Sequence, residues 1–515
     1  MNSKTSKAFG IKFTYLLFYS IAAIILFLPV LNKNFVSDDF VVLKRVCLQR
    51  TIYIQGFFRP LSDCSIYLNY LLIGLKPIGF NLVNIFIHSI NSFLLFEFCL
   101  KWKWTTDIVM QRRYALIASI LFLTYPFHNE AIVWLLGRGS SLAATFGIAA
   151  LLIFLSGWND KAKFFGVCLS YFTGLMAYES IIILPILICL LLIEKKVSSI
   201  TYFKWAIAFA ITGIMHILFR YNFSGALFGS YGEKILKLHW LSYPGNILKV
   251  MSRLIIPPIK NSFLFLMISI TIVLASSLTV FFTFFRLKKQ ILHKHFVFIL
   301  ISIIGCTLMV PFLLAVSTRT SESDRLLYLP SLFVCCFISF LICSWIQTRS
   351  ARQLVVVLLC IYNIIFLELN NYNWFKAGSA IHSILKLLQS DTGSNRIFIA
   401  NVPNEVNGAY IFREGFKDAL IINKIDTSRV SVINKLSKEL VTNPDETWKP
   451  VFYKTKIFIP PLLQIKTGLQ ADTGLKSSDT IHYTLPANSK LYYWDQHNFI
   501  LLKQHAIFFN AESAE

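Results

Sequence analysis

Long apolar runs separated by short polar segments dominate the first 370 residues of the chain. Runs of about 20 residues have the length that a helix needs to cross a hydrocarbon core about 30 Å thick. We therefore predict an α-helical polytopic membrane protein, with about eleven transmembrane helices in residues 1–370. The predicted spans lie near residues 12–32, 79–100, 114–127, 131–157, 163–178, 180–194, 202–220, 262–285, 296–316, 326–346 and 353–370.

After residue 371 the pattern changes to short runs rich in β-branched and aromatic residues, with turn residues between them. Such runs are typical of β-strands. We predict a connecting helix at 371–390 and a small, strand-rich α/β soluble domain at 391–515. The predicted strand segments are RIFIANVP, AYIFREGF, RVSVIN, VFYKTKIFIPPLL, TIHYTL and KLYYWDQHNFILLK.

The composition agrees with a membrane protein. Of the 515 residues, 56% are hydrophobic and only 15% are charged, whereas soluble domains carry about 25% charged residues. The net charge of +23 would suit a nucleic-acid partner, yet much of the basic charge lies in alternate short loops, as the positive-inside rule describes. We predict no nucleic-acid binding. The basic loops, predicted to be cytoplasmic, are 101–113, 158–163, 194–199, 286–295 and 347–352.

This topology places the conspicuous acidic clusters on the opposite, non-cytoplasmic face. That face would carry the loops 33–78 and 221–261, the segments PFHNE, AYES and STRTSESDR, and everything after residue 371. We therefore expect the chemistry, if the chain is an enzyme, to take place on that face.

Two adjacent carboxylates, Asp38 and Asp39, follow the first span in the segment NFVSDDFVVL. Adjacent residues of a helix point about 100° apart, so at most one of them faces a given substrate. One interpretation is a solvated charge pair at the start of a surface helix capped by Ser37. The other is a functional carboxylate, and the sequence leaves both open.

The second span carries a stripe of polar residues. Asn81, Asn84, His88 and Asn91 are spaced by three, four and three residues, which places them on one helix face. Polar groups within a span face the bundle or a wet cavity. Interhelical hydrogen bonds are the structural interpretation, and a polar cavity is the functional one. A single histidine, His88, does not make a metal site.

Other candidates lie at the same predicted level of the membrane. His128 and Glu130 stand at a helix start, Arg138 follows two turns later, and Glu179 occupies the AYES segment. They are either interfacial residues and helix-dipole partners or site residues. His128 and Glu130 supply only two of the three or four ligands of a zinc site. A divalent metal there stays open, and we predict no other cofactor.

Three arginines, Arg59, Arg138 and Arg325, are candidates for phosphate recognition, because the planar guanidinium matches phosphate geometry. Each has an alternative as a snorkelling or ion-paired residue, and for Arg325 the neighbouring Asp324 is the obvious partner. Acids and arginines on one face together favour an active site for an anionic, lipid-borne substrate.

Several motifs follow the acid pair in a fixed order: FRPLSDCSIYLNYLLIGLKPIGFNLVNIFIHSINSFLLF, YPFHNEAIVWLLGRGSSLAA, YESIIILP and DRLLYLPS. In this order they resemble the GT-C superfamily of polytopic glycosyltransferases over roughly residues 10 to 370. The likeness is greatest to the transmembrane, TPR-containing O-mannosyltransferases and their bacterial relatives, which include lipid A aminoarabinose transferase-like enzymes. The chain departs from the family pattern in two ways. Strand-like segments stand where a TPR array is expected, and Tyr178 stands where relatives often have lysine.

The resemblance implies an inverting glycosyltransferase that moves a sugar from a polyprenyl-phosphate donor to an acceptor hydroxyl of a protein, lipid or polysaccharide. Frequent Lys, Asn, Ile and Phe favour a bacterial source, and hence undecaprenyl phosphate, a bacterial inner membrane and a periplasmic site and C-terminal domain. Membrane lipid is then a further partner. One carboxylate would act as base, with Asp39 preferred and Asp38 orienting. The implied phosphate contacts and other cavity residues are Arg59, Arg138 and Arg325, and Asn84, His88, His128, Glu130 and Glu179.

Three other functions compete with this interpretation. A lipid-linked sugar transporter or flippase would share the spans and the charges, but inverted repeats with broken helices are not evident. A polysaccharide polymerase or ligase usually has a large loop late in the chain, whereas here the acid pair lies in the first loop. A surface receptor on a membrane anchor would need far fewer spans.

Overall fold

The computed structural model describes residues 3–52, 58–195, 197–225, 243–286, 290–313, 316–391, 393, 396–400, 402–433, 480–484, 489–494, 499–502 and 506–510. The chain divides into two compact units. Unit 1 comprises Met1–Lys33, Arg45–Phe375 and Asn407–Ala409. Unit 2 comprises Asn34–Lys44, Lys376–Val406 and Tyr410–Glu515.

Helices make up most of the described chain. In chain order they are α1 (Ser3–Leu26), α2 (Asp38–Leu43), α3 (Pro60–Ile73), α4 (Pro77–Lys101), α5 (Ile108–Leu123), α6 (Asn129–Val133), α7 (Arg138–Phe154), α8 (Asp160–Leu175), α9 (Leu184–Glu194), α10 (Ser199–Ser224), α11 (Tyr243–Arg253), α12 (Ser262–Arg286), α13 (Gln290–Leu313), α14 (Tyr328–Trp345), α15 (Arg349–Ser390) and α16 (Phe416–Ile422). Short 3₁₀ turns at Glu179–Ile183 and Asp324–Leu327 precede α9 and α14.

Six helical segments among the described residues are long and apolar enough to cross a membrane. They are Pro77–Lys101, Leu135–Phe154, Ser199–Ser224, Ser262–Arg286, Asp324–Trp345 and Arg349–Ser390, and three shorter apolar helices cover Lys12–Leu26, Glu179–Ile193 and Lys294–Leu308. An integral, helical membrane protein is therefore confirmed, but the predicted count of eleven spans is not. One reason is length: α5 and α8 have only 16 residues each, short of the roughly 20 that a full crossing needs.

Local sequence explains where these helices start. Pro60 and Pro77 begin α3 and α4, at the first-turn position that tolerates proline because its missing N–H would have no helical partner. Asp107 caps α5 by accepting from the amides of Val109 and Met110 at 2.8 and 3.2 Å. No proline interrupts residues 349–390, so the predicted span at 353–370 and the connecting segment at 371–390 form one continuous helix, α15.

The centre of unit 1 lies around α4, which packs against α1, α5 and α7. Its stripe of Asn81, Asn84, His88 and Asn91 is buried, as the spacing of these residues predicts. α12, by contrast, leaves many large apolar side chains exposed, Phe263 among them at 71%. An apolar exterior around a polar interior is the arrangement expected of helices surrounded by lipid.

The strands are β1 (Arg396–Ala400), β2 (Glu405–Val406), β3 (Ala409–Tyr410), β4 (Val430–Ile433), β5 (Thr480–Thr484), β6 (Ser489–Trp494), β7 (Phe499–Leu502) and β8 (Ala506–Asn510). All of their residues belong to unit 2 except Ala409, the first residue of β3, which belongs to unit 1. One mixed sheet has the order β4-β1-β6-β7, with β1 parallel to both neighbours and β7 antiparallel to β6. β5 and β8 pair antiparallel. Five of the predicted segments contain observed strands: RIFIANVP contains β1, AYIFREGF β3, RVSVIN β4, TIHYTL β5, and KLYYWDQHNFILLK both β7 and all of β6 except Ser489. The sequence did not predict β2 and β8, and the predicted strand segment VFYKTKIFIPPLL lies outside the described residues.

Candidate functional site

The acid pair belongs to unit 2, where α2 begins at Asp38. Ser37 precedes the helix with φ +44°, a backbone conformation that residues other than glycine rarely adopt. Its amide donates to the carbonyl of Ile411 at 2.7 Å. Gly415 lies so close that a Cβ there would come 2.5 Å from the Ser37 carbonyl oxygen. The start of α2 is thus fixed by segments almost 380 residues away in sequence.

The two aspartates have different surroundings. Asp39 is buried, with 1% exposure, and its Oδ2 accepts the amide of Val36 at 3.0 Å. Asp38 is half-buried and accepts from the hydroxyl of Ser37 at 3.0 Å. Ser37 does occupy the position before the helix, as the capping interpretation predicts, but its hydroxyl makes no capping bond to the α2 amides. Asp39 therefore holds the turn in place, and Asp38 is the more accessible acid.

A third carboxylate lies next to Asp38 within unit 2. The negative charge of Asp38 raises the pKa of Glu414, and partial burial adds to this effect, whereas Arg413 opposes it. Nearby, Lys44 donates to Asp418 at 2.7 Å and so joins α2 to α16. Sequence analysis did not find Glu414, because it lies more than 370 residues from the acid pair and in no recognisable motif.

In unit 1, two arginines converge on one carboxylate. Arg59 donates through Nε and Nη2 to Glu179 Oε2 at 3.2 and 3.0 Å, and Arg220 donates through Nη1 to Glu179 Oε1 at 3.3 Å. About a fifth of the Arg59 and Glu179 side chains is exposed. The guanidinium of Arg59 also stands 4.2 Å from the centre of the Tyr178 ring. We call Arg59, Glu179 and Arg220 the shared-carboxylate cluster.

Two buried polar atoms beside this cluster lack a hydrogen-bond partner among the described residues: Arg220 Nε and His216 Nδ1. His216 lies one turn before Arg220 on α10, and its ring centre is 6.0 Å from that of Phe58. Buried polar groups are nearly always satisfied, so such atoms call for a water or a ligand. Asp63, four residues after Arg59 in the first turn of α3, accepts from Arg45 at 2.7 Å.

Arg138 is fully buried and bonded to neutral groups. Its Nε donates to Asn84 Oδ1 at 2.5 Å, and its Nη2 donates to Asn69 Oδ1 at 3.0 Å and to the Phe80 carbonyl at 3.2 Å. The amide of Asn84 also donates to the carbonyl of Ile132 at 2.9 Å. Arg138 thus ties α7 to α3 and α4, and the structure unites this predicted site residue with a second one, Asn84.

Arg325 and Glu130 form a buried ion pair. The Arg325 amide donates to Glu130 Oε2 at 2.9 Å, and its guanidinium Nη1 donates to Oε1. Beside them, Arg253 Nη2 bonds both oxygens of Asp324 at 2.5 and 2.7 Å, and Arg253 is fully buried. The sequence had suggested Asp324 as the partner of Arg325. That suggestion is wrong, because Asp324 accepts from Arg253, which sequence analysis missed.

His88 and His128 lie next to each other, and each is within hydrogen-bonding distance of other helices or loops of unit 1. His88 Nε2 lies 3.1 Å from the carbonyl of Leu123, so it must carry the proton, and Nδ1 then accepts from the hydroxyl of Tyr328 at 2.8 Å. His128 Nε2 lies 2.7 Å from the hydroxyl of Ser331, and the two imidazole centres are 5.2 Å apart. His88 therefore takes part in the interhelical hydrogen bonding that its position in a span predicts.

The described residues bring no third metal ligand to His128 and Glu130. In the described parts of the chain, no three or more His, Cys, Asp or Glu side chains are grouped so that they could hold a metal ion. Both oxygens of Glu130 accept hydrogen bonds from Arg325. The donor set around these two residues thus fits an ion pair better than a metal.

Comparison with known proteins gives partial matches. No protein-family model matches the chain. It is 34% identical to protein O-mannosyl-transferase TMTC3 of Homo sapiens over 95 residues, which cover 18% of this chain and 10% of the relative. A Caenorhabditis elegans protein O-mannosyl-transferase is 29% identical over 133 residues, 26% of this chain and 19% of the relative. Protein O-mannosyl-transferase TMTC4 of Homo sapiens is 31% identical over 134 residues, 23% and 18% of the two chains.

The matched segments thus span only about a tenth to a fifth of the length of these relatives. Within that limit, the predicted resemblance to O-mannosyltransferases is confirmed.

Proposed function

We propose that this chain is a membrane-embedded glycosyltransferase that moves a sugar from a polyprenyl-phosphate donor to an acceptor hydroxyl. The likeness to proteins named O-mannosyl-transferases supports sugar transfer and makes mannose the first sugar to test. The helical membrane architecture supports a lipid-borne donor. Undecaprenyl phosphate as the carrier, a periplasmic site, and a protein, lipid or polysaccharide acceptor all belong to the proposal.

The observation that carries the proposal is the shared-carboxylate cluster. Arg59 and Arg220 meet at a single carboxylate, Glu179, in a partly exposed setting. Arg220 Nε has no hydrogen-bond partner in the described part of the chain. A donor phosphate would bring several acceptor oxygens to these guanidinium groups, and charge-assisted bonds to phosphate are stronger than neutral ones. We assign the donor phosphate to Arg59 and Arg220.

Arg138 and Arg325 take a supporting part in this proposal. Both are buried, and their guanidinium groups already bond Asn84 and Glu130. A phosphate at either position would have to displace a buried partner and leave it unsatisfied, which is costly. Their role is to hold α3, α4, α6 and α7 around the cluster.

The chemistry needs one base and no protonating acid. In a single displacement, the acceptor oxygen forms its bond to the anomeric carbon while the bond to the phosphate oxygen breaks, and the electron pair leaves with the phosphate. The anomeric configuration inverts. Glycosidases need a carboxylic acid to protonate a poor leaving group, but a phosphate is already a good one. The proton of the acceptor hydroxyl goes to a carboxylate, which contributes about 10²–10⁴ in rate.

We propose Asp38 as that base and Asp39 as its positioning residue. Asp38 is half-buried and therefore accessible, whereas Asp39 is buried and bonded to the backbone ahead of α2. This exchanges the roles preferred from the sequence. The reason is the burial of Asp39, which a sequence cannot report.

The test uses the full chain purified in detergent, radiolabelled polyprenyl-phosphate mannose and other polyprenyl-phosphate sugars, and native membrane extract as acceptor. We expect one labelled product, a loss of about 10²–10⁴ in its rate of formation for Asp38→Asn, and a smaller loss for Asp39→Asn. Asp426→Asn, an exposed carboxylate of unit 2, is the matched control and should keep full activity. No product from any donor, or full activity in the double variant Asp38→Asn/Asp39→Asn, would contradict the proposal.

A further inference from the structure

A cavity of about 860 Å³ lies in unit 1, and none of its lining residues belongs to the clusters described above. It is bounded by the end of α7, the first half of α8, the end of α9 and the first half of α10. Its volume falls within the range of about 300–1,000 Å³ that is usual for small-molecule sites. These helix ends carry the loops 158–163 and 194–199, which the charge pattern predicts to be cytoplasmic.

The charged part of the cavity lining is basic. Four lysines line the cavity, against one acidic residue, Asp160. The lysines are Lys161, Lys163, Lys195 and Lys204. They come from three different segments of the chain: α8, the residue after α9, and α10.

The interior of the cavity is apolar and aromatic. Trp205 is 7% exposed, and its ring lies 5.7 Å from that of Phe154 and 5.1 Å from that of Phe164. Further along α10, Ile207 and Ile211 line the cavity with 42% and 54% of their surfaces exposed. From Lys204 to Ile211 the helix rises about 10 Å at 1.5 Å per residue. The cavity lining thus combines lysines with apolar and aromatic side chains.

We infer that this cavity binds one anionic membrane phospholipid, with the phosphate among the lysines and the acyl chains along Trp205, Ile207 and Ile211. Basic pockets between transmembrane helices are suited to acidic lipid headgroups. A water-soluble anion would use the lysines and leave the apolar interior uncovered, and a zwitterionic lipid would gain little from four positive charges. The inference does not depend on the proposed sugar transfer.

The test is a lipid titration of the delipidated full chain in detergent, followed by native mass spectrometry. The probes are phosphatidylglycerol, phosphatidylcholine and water-soluble glycerol phosphate. We expect one phosphatidylglycerol to bind at least tenfold more tightly than phosphatidylcholine, and Lys161→Gln/Lys204→Gln to weaken it by at least tenfold, at about fivefold per lysine. The control pair Lys101→Gln/Lys103→Gln removes two exposed lysines of another basic loop and should change nothing.

A second pair of variants tests the apolar interior. Ile211→Trp fills the cavity and should weaken both phospholipids at least threefold. Ile214→Trp changes a residue of α10 that is equally exposed, at 56% against 54%, but does not line the cavity, and should leave binding unchanged. Equal affinity for the two phospholipids, equal losses in the control variants, or glycerol phosphate binding as tightly as phosphatidylglycerol would each overturn the inference.

Discussion

Two groups of arginines and carboxylates in unit 1 differ in charge balance and in burial. Arg253 with Asp324 and Arg325 with Glu130 are matched one to one, and all four side chains are at most 9% exposed. In the shared-carboxylate cluster, Arg59 and Arg220 meet at one Glu179. The side chains of Arg59 and Glu179 are 20% and 22% exposed, whereas that of Arg220 is 9% exposed. From the sequence, Arg59 and Glu179 of the cluster and Arg325 and Glu130 of the ion pairs are alike candidates on one predicted face of the membrane.

This difference in pairing predicts different effects of substitution in the two groups. A matched, buried ion pair contributes little net stability, yet removing one partner leaves a charge without compensation and is strongly destabilising. In the shared-carboxylate cluster, removal of one arginine leaves Glu179 paired with the other, so no buried charge is left without compensation and little stability is lost. Its arginines are therefore able to exchange partners with a ligand. We therefore expect variants of the first group to change folding, and variants of the second group to change donor binding.

The largest effect is expected for Arg253→Met. It leaves the buried Asp324 carboxylate without its bidentate partner, at a cost of about 3–5 kcal/mol. The apparent unfolding temperature in detergent should fall sharply, and the yield of folded protein should fall with it. Arg319→Met, which changes an exposed arginine whose guanidinium donates to the Ser262 hydroxyl, is the control. Similar unfolding temperatures for the two variants would show that the pair is dispensable.

A smaller loss is expected for Glu130→Gln. Glutamine keeps one oxygen that can accept from Arg325 but removes the opposing charge, so we expect a loss of about 1.5–3 kcal/mol. Replacing both members, as in Glu130→Met/Arg325→Met, should recover part of that loss, because no buried charge then remains unpaired. Thermal unfolding of Glu130→Met, Arg325→Met and the double variant measures the coupling. Additive losses would mean that the two residues do not act as a pair.

Arg220→Gln should leave stability within about 1 kcal/mol of the native protein, because Glu179 keeps Arg59 as a partner and the substitution leaves no buried charge unpaired. Thermal unfolding checks this prediction. A loss as large as that of Arg253→Met would remove the distinction between the two groups.

The smallest expected effect is the pH dependence of local stability around Glu414 in unit 2. The folded pKa of Glu414 is raised, so its stabilising contribution is complete below the unfolded pKa and is lost as the pH rises through the folded pKa. Glu414→Gln should therefore stabilise α2 and α16 at pH 7 relative to pH 4, by less than about 1 kcal/mol because the residue is exposed. Hydrogen exchange of the amides in these two helices, corrected for intrinsic pH dependence, measures this.

The pKa of Asp426, also in unit 2, is shifted in the opposite direction to that of Glu414. The amide and hydroxyl of Ser428 donate to its carboxylate at 2.9 and 2.8 Å and lower its pKa. Its contribution is present above the unfolded pKa and is lost as the pH falls through the folded value. Asp426→Asn should thus destabilise its turn at pH 7 and not at low pH. A change of the same sign in both variants would contradict the electrostatic account.

Much of the fold could be predicted from the sequence, because apolar length and helical spacing are local properties. The stripe on α4 is an example: the spacing of Asn84, His88 and Asn91 alone indicates that these residues are buried. The partners of charged residues could not be predicted. Glu179 and Arg220 are 41 residues apart, and Arg253 and Asp324 are 71 apart, so only the tertiary fold brings them together. Arg253 also belongs to none of the motifs that the sequence singles out: it lies in the predicted loop 221–261, where the structure has the end of α11.

The most direct test of the central claim is the affinity of the full chain for polyprenyl-phosphate mannose, measured in detergent for the native protein, Arg220→Gln and the exposed control Arg319→Gln. Loss of a charge-assisted bond to phosphate should weaken binding by about tenfold or more in Arg220→Gln, with folding intact and the control unchanged. If Arg220→Gln binds the donor as tightly as the native protein, the shared-carboxylate cluster does not bind the donor phosphate.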